Sequence, residues 1–259
     1  MIRVITEERL NQLIDARLAE RLALQEKRQQ DNILEKQMRI AMLQAQINPH
    51  FLYNALDCIR GQALSKDVPE IAEITQALSG FFRYSVSMHE NIVTLKDELN
   101  SVRNYVLIQR YRFGDRFQLK IDIDSDDPIL YALALPKLTL QPLVENAVLH
   151  GFSNVLKKNA MITITAQTTK NHVSIHVMDN GVGMDRKTCQ RICSNLIHQQ
   201  TENESSGHGI ALLNVHRRIS LVFGEEYGLN ISSMENIGTD IEIHIPRHTP
   251  EEMQAIYHE

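Results

Sequence analysis

The chain has 259 residues, with 27 lysines and arginines against 32 aspartates and glutamates, a formal net charge of −5, and 43% hydrophobic residues. That length suits about two domains of roughly 100–200 residues each, and the apolar content supports a folded core, which excludes wholesale disorder. The mild acidity offers no basic face for direct nucleic-acid binding, and the longest apolar run, Ile129 to Leu135, falls far short of the ~20 residues of a membrane span. Cys58, Cys189 and Cys193 make neither an even disulfide framework nor a CxxC pair, so a reduced, cytosolic compartment is expected. The opening MIRVITEERL carries no apolar signal-peptide core.

Residues 3 to 47 contain neither Gly nor Pro and are dense in good helix formers. Leu10, Leu13, Leu24, Leu34, Met38 and Ala41 recur at helical or heptad spacing, interrupted by Arg17, Glu20 and Asp31. The pattern predicts a long, imperfect coiled coil with a partner helix, or else a single solvated helix. Pro49 then sits inside a helical pattern that resumes with Phe51, Leu52, Ala55, Leu56 and Ile59, so a kink is expected there.

Gly61 to Pro69 reads as a hairpin connection, and Glu70 to Met88 as an antiparallel helix. Thr94 with Asp97 resembles a capping box, which starts a helix from Leu95 to about Arg112. The remainder alternates strand and helix signals. Gln118–Ile123, Met161–Thr165, Val173–Met178 and Asp240–Ile245 are strand-like, while Leu138–His150 and Leu212–Phe223 are helical. This order predicts an α+β sandwich, a sheet with helices on one face. The predicted divisions are a coiled-coil helix over 1–45, further helices over 46–115 and the α+β part over 116–259.

Three clusters in the second half carry chemistry. In Gln141–His150, Asn146 and His150 are four apart and share a helix face. An Asn carbonyl suits Mg²⁺, which takes its other oxygens from water and nucleotide phosphates. Glu145 could polarise a nearby water or hydroxyl. Taken alone, these three residues are equally well the wet side of an amphipathic helix.

In Asp179–Met184, an aspartate at a strand end can accept a hydrogen bond from an exocyclic amine such as adenine's. Gly181 and Gly183 let the backbone approach a planar ligand, although Asn180-Gly181 is also an ordinary turn signal. In Gly207–Asn214, Gly207 and Gly209 precede a helix whose free amides suit an anion, or they simply let the helix begin. The polar stretch Asn195 to Ser206 between the last two clusters looks like a lid.

In this order and separation the clusters resemble the GHKL ATP-binding superfamily, which includes histidine kinases, gyrase, Hsp90 and MutL. LVENAVLHG is similar to its N box, DNGVGM to its G1 box, GHGIALLNV to its G2 box, and Gly238-Thr239 to its late Gly-Thr. In the first half, QAQINPHFLYN (Gln44 to Asn54) resembles the phosphoacceptor motif of the LytS/YesM-type sensor histidine kinases. So do FFRYS (Phe81 to Ser85), the segment Val93 to Phe117, FGEEYGL (Phe223 to Leu229) and the ending IEIHIP, with the YesM-type subgroup nearest.

The resemblance implies a homodimeric, ATP- and Mg²⁺-dependent protein-histidine kinase. Its fold would be a coiled coil, a helical hairpin forming a four-helix bundle in the dimer, and a GHKL α/β sandwich. His50 would be the phosphoacceptor. Asn146 would hold Mg²⁺, with Glu145 and His150 close to the phosphates, and Asp179, Gly181 and Gly183 would form the adenine side. Gly207, Gly209 and Leu212 would lie in the phosphate-side segment and Thr239 beside the adenine pocket.

The sequence departs from many other histidine kinases in placing Phe51, not an acid, directly after His50. Asn54 or Asp57, on roughly the same face, would then orient the imidazole. His208 and Ala211 also replace commoner residues of the G2 segment. The implied partner is a response regulator with a DNA-binding output domain, so DNA contact is indirect. The chain would be the cytoplasmic portion of a bacterial plasma-membrane sensor, tied to the membrane only through an upstream region. Two other functions remain at this stage: a GHKL ATPase in which Glu145 activates water, and a degenerate dimeric scaffold.

Overall fold

The computed structural model describes residues 49–86, 91–114, 116–124, 127–152, 160–169, 171–198 and 209–253. The chain divides into two compact units, Met1–Leu52 and Tyr53–Glu259. The coiled coil expected over 1–45, the part before Pro49 of the helix expected to kink there, residues 199–206 of the expected lid, and Gly207 lie outside the described residues.

Helix α1 (Pro49–Ser65) runs straight through Gly61, where a hairpin connection was expected to begin. Nothing lies within 4 Å of the position a Gly61 side chain would take, so the glycine neither packs nor bends the helix. The stop comes at Asp67, in the left-handed region with φ 54°. The amide of Val68 bonds the Ala63 carbonyl at 2.9 Å and that of Asp67 the Leu64 carbonyl at 3.2 Å. This is the double closure that satisfies the last carbonyls of a helix.

Helix α2 (Pro69–Val86) returns antiparallel, with the Arg83 guanidinium 5.4 Å from the centre of the Tyr53 ring. Its buried residues are small (Ala72, Thr75, Ala77, Ser79). Strand β1 (Ile92–Thr94) leads into helix α3 (Leu95–Phe113). The expected capping box is present: Asp97 N–H donates to Thr94 Oγ1 at 3.2 Å, and Thr94 N–H to Asp97 Oδ2 at 3.1 Å. Gly80 allows α2 and α3 to meet closely, since a Cβ there would lie 2.8 Å from Asn104 Nδ2.

A five-stranded sheet follows, in the order β2-β4-β5-β7-β6. Its strands are β2 (Phe117–Asp122), β4 (Ala160–Thr168), β5 (His172–Asp179), β6 (Gly228–Met234) and β7 (Gly238–Pro246). β2 and β4 are parallel and the other neighbours antiparallel. A three-residue strand, β3 (Ala134–Pro136), pairs with β1, and a one-turn helix, α4 (Pro128–Tyr131), precedes it. Neither β1 nor β3 shows in the sequence, because three residues carry no periodicity.

Helix α5 (Leu140–Asn146) widens into a π-helical turn, Ala147–Gly151. It begins two residues later than expected, because Leu138 stands in the left-handed region with φ 62°. Helix α6 (Arg186–His198) was not expected and takes in Asn195 to His198 of the segment anticipated as a lid. Its fully buried residues are only Ile192 and Leu196, and Asp185 caps it by accepting the Lys187 and Thr188 amides at 2.9 and 3.0 Å. Helix α7 (Ile210–Phe223) completes the layer.

The fold is thus the expected mixed α+β arrangement, with helices on one side of the sheet. Val173, Ile175 and Val177 of β5, Ile162 and Ile164 of β4, and Ile241, Ile243 and Ile245 of β7 alternate into the core. The other face is polar, with Ser174 donating to Glu242 at 2.7 Å and His176 pairing with Asp240 at 3.1 Å. Among the described residues, no helix is long and apolar enough to cross a membrane. Replacing Thr94 by Ala should lower unfolding stability by about 1 kcal/mol through loss of the cap. Replacing its exposed neighbour Lys96 by Ala should stay within about 0.5 kcal/mol; thermal unfolding of both variants checks the difference.

Candidate functional site

The site is built where β5 ends. Asp179, its last residue, lies opposite Thr239 of β7. Around it the backbone approaches itself so closely that side chains do not fit. A Cβ on Gly238 would lie 2.0 Å from the Asp179 carbonyl oxygen, and one on Gly181 would lie 2.4 Å from the Gly151 carbonyl oxygen. Gly183, at φ 65°, meets the Met234 carbonyl oxygen at 2.0 Å in the same sense. Only glycine accepts these positions.

Hydrogen bonds hold the turn in that shape. Gly181 N–H donates to Asp179 Oδ1 at 2.8 Å, and Val182 N–H to the Gly151 carbonyl at 3.0 Å. Met161 N–H donates to Asn180 Oδ1 at 2.8 Å, and Met184 N–H to Ser233 Oγ at 2.9 Å. Ser233 in turn sits 3.0 Å from Thr239 Oγ1. The Asn-Gly pair therefore joins the end of β5 to α5's terminal turn and to the β6–β7 hairpin, and is not a free connection between strands.

A cleft of about 290 Å³ opens above this turn. That is near the lower end for small-molecule sites, which run to roughly 300–1,000 Å³. Asn146, His150, Asp179, Gly183, Gly209, Leu212 and Thr239 all line it. Asn146 ends the regular part of α5 and His150 lies in the π-helical turn, a distortion frequent at functional sites. Gly209, with φ 106°, is the residue before α7, so the first free amides of that helix stand beside the cleft. Val177, Ile192, Ile241 and Leu143 supply apolar wall.

Among the described residues, Asp179 is the one carboxylate that lines the cleft, and no Lys or Arg lines it. A slot with apolar walls and a carboxylate at its floor suits a flat heterocycle bearing an amine. Among the described residues, no group of three His, Cys, Asp or Glu side chains forms a metal cage. The donor set fits Mg²⁺ held by one amide oxygen and by phosphates, the usual manner for that ion. It does not fit a cage built from protein alone.

The other expected site residues are placed differently. Gly181 does not line the cleft and acts through Asp179 and Gly151. Glu145 is also absent from the lining: its carboxylate accepts from Gln141 Nε2 at 2.8 Å. Burial and, second to it, the charge of Glu145 push the Tyr105 phenol up, so Glu145 faces the α3 side of the helix. His50 and Asn54 are both exposed on α1. Sequence reasoning missed Gly151, read only as a helix stop, and Thr188 and Ile192, which sit on the unexpected α6. Val177 and Ile241 could have been found, since strand alternation turns them toward the core.

A model of the histidine kinase family matches residues 38–117. Another, described as histidine kinase-, DNA gyrase B-, and HSP90-like ATPase, matches residues 134–249. The chain belongs to the sensor histidine kinases. It is 40% identical over 223 residues to sensor histidine kinase YesM of Bacillus subtilis (strain 168), covering 86% of this chain and 36% of that protein. It is 36% identical over 215 residues to sensor histidine kinase YpdA of Escherichia coli (strain K12), covering 82% and 35%. Sensor protein LytS of Oceanobacillus iheyensis is 36% identical over 214 residues, covering 82% and 35%. The chain thus spans about a third of the length of the curated relatives it matches.

Gly183→Ala in this histidine kinase should destabilise the fold by clearly more than about 1 kcal/mol, because it adds a backbone clash to an unfavourable φ. Gly114→Ala, at φ 75° with open space around it, should cost only the conformational part, about 1 kcal/mol. Thermal unfolding of the two variants measures the gap.

Proposed function

We propose that this chain is an ATP-dependent protein-histidine kinase that phosphorylates its own His50 and then passes the phosphoryl group to an aspartate of a response regulator. The observation that carries this reading is the cleft at the end of β5, where Asp179, Asn146, His150 and the N-terminus of α7 converge. The family's histidine stands upstream in the same chain. In this reading Asp179 receives the adenine amine, with Thr239 beside it and Gly183 shaping the wall. Asn146 is the protein ligand for Mg²⁺, and His150 and the amides after Gly209 face the phosphates. Bound Mg²⁺ supplies neutralisation of charge on the β- and γ-phosphate oxygens.

The chemistry asked of His50 is nucleophilic. A neutral imidazole nitrogen uses its lone pair to form a bond to the γ-phosphorus. The bond from that phosphorus to the β,γ-bridging oxygen breaks, ADP leaves, and the imidazole proton goes to solvent. The phosphoryl group then moves to a carboxylate oxygen of the regulator and restores His50. Positioning and charge neutralisation supply most of the catalysis in such transfers. Asn54, one turn along α1, is the proposed orienting group. Glu145 serves as a base only after leaving Gln141.

The exposed apolar side chains of α1 and α2 support a homodimer through this hairpin. Ile59, Leu64 and Ile71 are 49%, 58% and 43% exposed, a surface that a second hairpin would cover in a four-helix bundle. The proposed organisation keeps a signalling helix over 1–45, the phosphoacceptor helices over 46–115 and the ATP-binding domain over 116–259. In this reading the chain is the cytoplasmic part of a membrane sensor, in keeping with its similarity to sensor proteins of which it spans about a third.

Incubation with γ-labelled ATP and Mg²⁺ should give an acid-labile, base-stable label on the intact chain. His50→Gln should abolish the label and keep ATP-dependent stabilisation, whereas Asn146→Ala should lose the label and weaken that stabilisation. A label that survives in His50→Gln, or ATP hydrolysis without any label, overturns the proposal.

A further inference from the structure

We propose that Tyr84 and Glu98 are positioning residues that tie the Asn146-bearing helix to the hairpin helix α2, so that the shape of the ATP site depends on where α2 stands. The inference rests on the nucleotide reading of the cleft and concerns what sets that cleft's geometry.

Glu98 lies on α3 and is fully buried. A buried carboxylate is tolerated only when donors surround it. Here the donors come from two elements far apart in sequence. The Tyr84 hydroxyl, near the end of α2, donates to Glu98 Oε1. Leu138 N–H donates to the same oxygen at 2.6 Å, and Leu140 N–H donates to Oε2 at 2.6 Å. The Thr139 amide adds to the set. Burial pushes the Glu98 carboxyl up, and the hydroxyl and the amides hold it back in part. Burial, with Glu98 second, also pushes the Tyr84 phenol well up, so Tyr84 keeps its proton and remains a donor.

The amides of Leu138 and Thr139 lead into α5 and that of Leu140 is its first, one of the groups a helix leaves without partners. A local residue usually satisfies them. Thr139 stands at the cap position, yet it makes no side-chain cap bond; its hydroxyl goes to the Pro136 carbonyl at 2.5 Å. The cap is instead Glu98, some 40 residues away. The carbonyl side of the same turn is also held. Arg218 of α7 donates to the Lys137 carbonyl, and to that of Leu138 at 3.2 Å. Lys137 Nζ lies 5.0 Å from the centre of the Tyr84 ring.

One short turn therefore gathers α2, α3 and α7 at the start of α5. That helix is only seven residues long and ends at Asn146. A displacement of α2 that withdraws the Tyr84 hydroxyl strips a donor from a buried carboxylate, which favours a discrete rearrangement over a gradual one. Asn146 rides on the far end of the element that rearranges.

The test compares Tyr84→Phe with Gly114→Ala, which weakens the far end of α3 without touching the link; Glu98→Gln serves as a second probe of the link. Mg-ATP affinity is measured by calorimetry, and backbone amide exchange is followed over 140–146 and 81–86. Tyr84→Phe should fold, bind Mg-ATP about tenfold more weakly and exchange faster over 140–146, with Glu98→Gln acting in the same direction. Gly114→Ala should keep the affinity of the intact chain. Because coupling is reciprocal, Mg-ATP should slow exchange at 81–86 in the intact chain and fail to do so in Tyr84→Phe.

Unchanged affinity and exchange in Tyr84→Phe, or an equal loss in Gly114→Ala, overturns the link. An intact chain that takes up no Mg-ATP overturns the nucleotide reading itself. Exchange over 140–146 in Tyr84→Phe then still decides whether α2 holds this helix.

Discussion

The contact on which the site depends is backbone against backbone. Gly238 lies against the carbonyl of Asp179, Gly181 against that of Gly151, and Gly183 against that of Met234. No side chain fits in these gaps, so the end of β5, the terminal turn of α5 and the β6–β7 hairpin lock into one piece. Asp179 is held by that packing and by the Gly181 amide. A carboxylate set this way still has acceptor capacity to offer a ligand.

The one-sided sheet explains why the site stands where it does. The strands bury isoleucine and valine on the helix face and leave serine, histidine, aspartate and glutamate on the other. Helices α5, α6 and α7 must cover the apolar face, and where they part near the end of β5 the cleft remains. Its walls are core residues, Val177, Ile241, Leu143 and Ile192, so the pocket is an interruption of the hydrophobic core. A flat apolar ligand there takes the place of missing packing.

Much of this was legible in the chain. The capping box at Thr94, the core alternation of β5 and β7 and the order of the glycine clusters follow from local rules, and local rules are written in neighbouring residues. The misses have a common cause. Gly61 reads as a breaker, but a helix tolerates one glycine when its flanks pack. Helix α6 reads as a polar loop because only Ile192 and Leu196 are buried. Strands β1 and β3 are too short for any period. In each case the deciding contact lies far along the chain.

The sequence by itself determined the family, the α+β class and the residues from which the cleft is made, because spacing along a strand, turn or helix is a local property. Only the tertiary structure decided that Glu145 faces Gln141 while Asn146 and His150 face the cleft. Likewise, it alone showed that Gly151 belongs to the Asp179 turn, and that the cap of α5 is a glutamate on α3 joined to a tyrosine on α2. The pairings of Gly151 and of Glu98 run across 14 to 42 residues of chain. A buried donor or acceptor takes whatever partner the packed core brings to it, and no local pattern names that partner in advance.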